Sequence, residues 1–341
     1  MIELKNVTKT FDEGTVTAVD SLSFTVKEGE IVGLIGTSGC GKTTTLKMIN
    51  RLEEPTSGSI FINGKSILNQ PPEQLRRGIG YVIQNVGLFP HYSVRKNIAT
   101  TPELLGWDDQ RINKRTRELL QMVGLGEEAY AHRSPADLSG GQQQRVGLAR
   151  ALAADPSIIL MDEPFGALDP ITKERIRQEF KELLNEIDKT IVLVTHDVFE
   201  AFDLCDRICL MDAGKARQIG TSRELLFQPA DEFVHSFFDT HRFQLEMMSV
   251  TMGDILGVLD GKSRLQGGSE ALRRPGFSAG EGDDCIYIND SFYSFFEQSG
   301  SDIEKYHIVN SDNEMVAQIN SDDLLEGFQQ VRRNLREDRH D

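Results

Sequence analysis

The spacing of apolar positions changes along this chain, and each change predicts an element. Residues 2–26 alternate through Ile2, Leu4 and Val7 and again through Leu22, Phe24 and Val26, with Asp12-Glu13-Gly14 between them. That pattern predicts an antiparallel hairpin region. The apolar runs then become continuous at 31–35, 79–83, 158–161 and 190–194, as expected of short parallel strands covered on both faces. Between the first two of these lie a turn at Glu54-Pro55-Thr56-Ser57-Gly58 and a further strand from Ser59 to Asn63. From about 92 to 154 the period becomes helical. Ile112, Leu119, Leu120 and Val123 share a face of a helix over 109–123, and another helix starts after Leu138-Ser139-Gly140-Gly141. From 285 to 333 the pattern predicts strand 285–288, helix 291–298, strand 306–309, strand 315–319 and helix 322–331.

The chemistry gathers where apolar runs end. The first continuous run leads into Gly36-Thr37-Ser38-Gly39-Cys40-Gly41-Lys42-Thr43-Thr44, a Gly-x-x-x-x-Gly-Lys-Thr phosphate loop in strand, loop, helix context. Glycines there let backbone N–H groups converge, and the following helix adds its positive end. Lys42 would reach the β- and γ-phosphates of a nucleotide, and Thr43 would place its hydroxyl on Mg²⁺. Gln84 ends the second run, where open α/β sheets bind ligands or where a surface glutamine simply leaves the strand. The third run ends in Asp162 and Glu163, carboxylates that are costly to bury unless a metal or substrate meets them. Asp162 suits an Mg²⁺ shell and Glu163 the polarising of water. His196 tips the fourth run. Ser139, Gly140, Gly141 and Gln142 open a helix with free N–H groups, a second anion-binding terminus. Phe11, beside a turn, is either a purine-stacking ring or part of the core.

Composition narrows these options. The chain has 341 residues and a net charge of −16, and residues 245–341 hold 19 acidic and 9 basic side chains. This argues against nucleic acid bound through a basic face. No apolar run approaches the ~18 residues of a membrane span, and Met1-Ile2-Glu3-Leu4-Lys5 lacks a signal-peptide pattern. A subunit soluble by itself is expected. Cys40, Cys205, Cys209 and Cys285 form neither Cys-x-x-Cys pairs nor a disulfide framework, which fits a reducing cytosol. Cys40 is expected to be an accessible thiol.

Taken in order, these motifs resemble the nucleotide-binding subunit of an ATP-binding cassette (ABC) transporter over about residues 1–240. Gly36–Thr44 is similar to its Walker A loop, Gln84 to its Q-loop, Leu138–Gln142 to its signature, Ile158–Glu163 to Walker B with the catalytic glutamate, Ala167-Leu168-Asp169 to the D-loop and His196 to the switch histidine. Phe11 falls at the adenine-stacking position, where tyrosine is more usual. The resemblance implies a RecA-like α/β core with a helical subdomain at about 92–154, binding ATP and Mg²⁺, with Thr43, Gln84 and Asp162 serving the metal. It also implies a homodimer enclosing two nucleotides, with Ser139, Gly140, Gly141 and Gln142 of one copy closing on the other, and Asp169 at the same interface. Stretches such as 87–91, 97–107 and 165–172 are similar to ATPases of importers for quaternary-amine osmoprotectants: glycine betaine, choline and carnitine. That implies integral membrane permease subunits, a separate substrate-binding protein and a peripheral location on the cytoplasmic face of the membrane.

Residues 306–325 look like the second half of a cystathionine-β-synthase (CBS) module, so 285–333 is expected to be CBS-like. Residues 241–284 are expected to be a linker or a degenerate partner module, and 334–341 a charged tail. Asp323 matches a ribose-binding aspartate, which raises a regulatory nucleotide, but Asn320 and Ala317 replace the usual threonine and glycine. An acidic tail that merely dimerises is the plainer alternative. Other readings of the whole are an importer ATPase for another small polar solute such as an amino acid, or a soluble non-transport ABC ATPase. The latter would need a coiled-coil insertion or a second cassette. A non-catalytic regulator would be expected to lack Glu163 or His196, and both are present.

Overall fold

The computed structural model describes residues 1–84, 87–166, 168–260, 285–298, 306–310, 312 and 315–337. Its strands, in chain order, are β1 (Ile2–Phe11), β2 (Val16–Val26), β3 (Ile31–Gly36), β4 (Ser57–Ile62), β5 (Lys65–Ser66), β6 (Ile79–Val82), β7 (Ile158–Asp162), β8 (Thr190–Val194), β9 (Arg207–Asp212), β10 (Lys215–Gly220), β11 (Cys285–Tyr287), β12 (Tyr306–Val309) and β13 (Met315–Ile319). The alternating N-terminal segment forms an antiparallel sheet in the order β2-β1-β4-β5. The continuous apolar runs form a second sheet in the order β10-β9-β3-β8-β7-β6, in which β9, β3, β8, β7 and β6 pair in parallel.

The reason those runs are apolar throughout is visible in their neighbours. Val32, Leu34, Ile158, Leu160, Val192 and Val194 pack with β1, β2 and the helix Lys42–Ile49. The alternate residues Ile159, Met161, Ile191 and Leu193 pack with Val94, Ile98, Leu119, Val146 and Phe180. Successive side chains point to opposite faces, and both faces are covered. The helical region expected at about 92–154 comprises helices Val94–Leu104, Asp109–Met122, Glu127–Tyr130 and Gly140–Leu152.

By contact density the chain divides into residues 1–219 and 220–341, ahead of the boundary expected at 240. In the second unit β11 and β12 are parallel and β12 and β13 antiparallel, in the order β11-β12-β13. Residues 241–260, within the segment expected to be a linker or a degenerate module, form helices Arg242–Ser249 and Met252–Asp260. Leu245, Met247, Met252, Ile255, Leu256 and Leu259 share one core with Ile286, Ile308, Ile319, Phe328 and Val331. A free linker is thereby ruled out for these residues, because that much apolar burial fixes them to the sheet. The rest of the segment, 261–284, lies outside the described residues, as do Ala167 and 338–341. The last helix, Ser321–Glu337, runs into the expected charged tail. Asn320 accepts a hydrogen bond from the backbone N of Asp323 at 2.7 Å, so the residue standing where threonine is usual caps this helix. No helix among the described residues is long and apolar enough to cross a membrane.

Candidate nucleotide site

Parallel pairing puts the C-terminal ends of β3, β8, β7 and β6 side by side. Beyond β3 comes the phosphate loop, beyond β8 His196, at the end of β7 Asp162 and Glu163, and beyond β6 Gln84. Two backbone bonds carry the register past the strands: Thr195 N donates to Leu34 O at 3.2 Å and Glu163 N to Val194 O at 2.8 Å. Four motifs far apart in sequence thus share one edge, as expected for an open α/β sheet.

The loop is shaped by backbone. Gly36 has φ +143°, and a Cβ on it would lie 1.9 Å from the Met211 carbonyl oxygen. Lys42 begins the helix Lys42–Ile49 and is buried, its Nζ donating to the carbonyls of Gly36 at 2.9 Å and Thr37 at 3.0 Å. Carbonyls hold this cation in place but do not cancel its charge, which leaves it suited to an anion. Thr37 Oγ1 donates to Asp212 Oδ1 at 3.2 Å, an anchor on β9 that the motif does not announce. Cys40, expected to be accessible, is instead buried, with Sγ 3.7 Å from Lys42 Nζ. It is a packing residue of the loop.

Asp162 is buried and accepts a hydrogen bond from Thr43 Oγ1 at 3.0 Å. Burial pushes its carboxyl above the usual carboxylate range and the neighbouring Glu163 adds to this, against the bond from Thr43 and the charges of Lys47 and Lys42. Glu163 takes φ +46°, a left-handed backbone that costs a non-glycine residue on the order of 1–3 kcal/mol. The turn aims its carboxylate at two other motifs. Gln84 Nε2 donates to Glu163 Oε2 at 2.7 Å, and His196 Nδ1 lies 3.3 Å from the same oxygen. Among the described residues, Ser38, Gly39, Cys40, Gly41, Lys42, Thr43, Thr44, Glu163 and His196 line a cavity of about 530 Å³, within the size range of small-molecule sites.

The remaining candidates lie elsewhere. Phe11 ends β1, half-buried, with Lys9 Nζ 4.8 Å from its ring centre, and it does not line the cavity. Ser139 and Gln142 form a reciprocal capping box on the helix Gly140–Leu152. Ser139 and Gly140 are exposed, whereas Gly141 is buried and a Cβ there would meet Ile176 Cδ1 at 2.7 Å. Close helix packing therefore accounts for Gly141 without any anion. Asp169 caps the helix Pro170–Glu186, accepting from Thr172 N at 3.1 Å. Sequence reasoning missed the side chains behind His196: Thr195 donates to the buried Glu200, and Lys173 reaches both Asp197 and Glu200. An acid at 197, capping a helix that follows a strand end, and another at 200 in its first turn were the available signal.

A phosphate loop, two acids at the end of β7 and a polar tip on each flanking strand define a phosphate-loop nucleotide-binding protein. The family model "ABC transporter" matches residues 19–166. Over 242 residues the chain is 54% identical to the choline transport ATP-binding protein OpuBA of Bacillus subtilis, covering 71% of this chain and 63% of that one. The chain thus spans less than two thirds of that relative's length. Over 250 residues it is 50% identical to the glycine betaine uptake system ATP-binding protein YehX of Escherichia coli, covering 73% of this chain and 80% of that one. Among solved structures, a dimeric ATP-binding cassette in a post-hydrolysis state bound to ADP and Pi superposes with a TM-score of 0.58 at 38% identity, over 65% of this chain and 98% of that one. The chain belongs to the ABC transporter family, among its ATP-binding proteins.

Proposed function

We propose that this chain hydrolyses ATP to energise a membrane importer of quaternary-amine osmoprotectants such as glycine betaine, choline and carnitine. The observation that carries the ATPase reading is the convergence of Gln84, Glu163 and His196 beside Lys42. The names of the choline and glycine betaine relatives support the solute class. Lys42 and the loop N–H groups would hold the phosphates. Thr43, Asp162 and Gln84 would hold Mg²⁺, which when bound neutralises phosphate charge, and the fit rests on Asp162 being buried with a hydroxyl as its hydrogen-bond partner. Glu163 would take the proton of an attacking water, once Gln84 and His196 release its Oε2. His196 would then turn to the γ-phosphate. Catalysis on this scheme is positioning and charge stabilisation, with no covalent intermediate.

A single copy has its general base occupied by its own sensors, and its exposed Ser139 and Gly140 outside the cavity. Two copies head to tail would bring Ser139, Gly140 and Gly141 of one against the nucleotide held by Lys42 of the other, with Asp169 alongside. Phe89 and Tyr92, both exposed with rings 5.3 Å apart, support a permease docking near 87–91. The solute would be handed over by a separate binding protein, placing this chain on the cytoplasmic face of the membrane. The residues from 285 onward would act as a CBS-like regulatory module with a nucleotide as its candidate ligand. The test is ATPase activity of the chain co-purified with its membrane subunits and binding protein. Glycine betaine, choline or carnitine should raise it, and Lys42→Ala should remove both nucleotide binding and turnover. Stimulation only by an amino acid would overturn the solute, and full turnover by Lys42→Ala would overturn the site.

A further inference from the structure

Behind His196, two helices are joined by a ladder of charges. The helix Pro170–Glu186 presents Lys173, Arg177 and Lys181, spaced one turn apart, and the segment leading into and through Val198–Leu204 presents Asp197, Glu200 and Asp203. Lys173 Nζ lies 2.6 Å from Asp197 Oδ2 and 2.7 Å from Glu200 Oε1. Lower down, Arg177 Nε lies 3.2 Å and Lys181 Nζ 2.6 Å from Asp203. The upper rung differs from the lower one in what it touches. Glu200 is 2% exposed and its other oxygen accepts from Thr195 Oγ1. That hydroxyl in turn accepts from Asp197 N at 3.0 Å, and Asp197 Oδ1 accepts from Phe199 N at 2.9 Å. One ammonium thus contacts Asp197 directly and Thr195 through Glu200, the residues on either side of His196, while the His196 side chain stays 61% exposed.

We infer that Lys173 is a positioning residue for His196, coupling the turn that carries the histidine to the helix capped by Asp169. Without the ammonium, the buried Glu200 and the half-buried Asp197 lose their shared counter-charge, which favours one of them swinging away or taking a proton. Either response loosens Thr195 or Asp197, and His196 with it. Burial lowers the ammonium's affinity for its proton, but Asp197 and Glu200 more than offset this and hold the Lys173 pKa above its ordinary value. The lower rung keeps the helices docked, so the loss falls on the histidine turn rather than on the fold. Asp169 leads directly into this helix, with Lys173 N donating to its carbonyl at 2.8 Å.

This inference rests on the ATPase reading above for its kinetic arm. In the full chain assembled with its membrane subunits, Lys173→Met should lower kcat about tenfold or more with KM for ATP changed by less than about twofold. Lys173→Arg should restore most of the loss, and Lys181→Met, on the lower rung, should leave kcat within about twofold. In a His196→Ala background Lys173→Met should add nothing further. Near-parental kcat for Lys173→Met, or losses that multiply with His196→Ala, would overturn the role. A second arm needs no hydrolysis. In full-length protein labelled at histidine, with His196→Ala assigning the signal, Lys173→Met should shift the His196 imidazole resonances and Lys181→Met should not. Equal shifts from both variants would overturn the coupling, whereas an inactive parent with the selective shift would overturn only the ATPase reading.

Discussion

Two buried carboxylates, Asp162 in the first unit and Glu246 in the second, are treated differently. In the second unit Glu246 is 0% exposed and meets Arg332 at 2.6 Å and Arg336 at 2.7 Å. In the first, Asp162 is 9% exposed and the hydrogen bond it accepts is from the Thr43 hydroxyl. A carboxylate given two guanidinium groups is neutralised in place and ties helix Arg242–Ser249 to helix Ser321–Glu337. One given a hydroxyl carries a desolvation cost that a bound cation would relieve. Burial alone therefore does not mark a site; burial without a full complement of counter-charge does.

The contrast breaks most sharply in the second unit. Replacing both Arg332 and Arg336 by Met leaves Glu246 buried and bare, with an expected loss of about 3–5 kcal/mol in urea denaturation. A loss under about 1 kcal/mol would mean that water already reaches Glu246. Next in size, Glu163→Gln should keep ATP binding and cut turnover by ~10²-fold or more, read in steady-state assays of the assembled transporter. Asp162→Asn should go the other way on stability, raising it by about 0.5–2 kcal/mol without nucleotide while weakening Mg²⁺-dependent binding. An Asn variant no more stable than the parent would remove the desolvation argument.

The smallest effect is in the acid limb. Burial pushes Asp197 up, but the Lys173 ammonium and the N–H groups of Phe199 and Glu200 outweigh it and hold its pKa below the ordinary 3.8. A depressed folded-state value contributes stability above the unfolded pKa and loses it as pH falls through the folded one. Asp197→Asn should therefore flatten the stability profile below about pH 4. An unchanged acid limb would show that Asp197 is no better held than in the unfolded chain.

Much of this was legible in the sequence because the sheet is covered on both faces. A continuous apolar run that ends abruptly in Asp162-Glu163 or at His196 declares both a buried strand and the edge where it stops. The helix 109–123 was equally plain from one apolar face, and the structure ends it at Met122. Residues 241–260 were not, although Leu245, Ile255 and Leu259 carry a helical spacing, because the glycine- and arginine-containing stretch that follows diluted the pattern. Cys40 misled because a thiol in a phosphate loop suggests access, whereas the turn folds it inward. The ladder behind His196 pairs cations one turn apart on one helix with acids on another, over a separation of 24 residues between Lys173 and Asp197. No local window contains both halves.

The left-handed turn at Glu163 has a consequence for anyone varying this position. In a saturation library, valine, isoleucine and threonine at codon 163 would fail first as misfits of the main chain, before any question of proton transfer arises. Asparagine and glycine would be tolerated by the turn and, on the role proposed for Glu163, would be inert. Survivors and casualties there would sort on two separate criteria, and only the glutamate–glutamine pair holds the geometry constant while changing the chemistry.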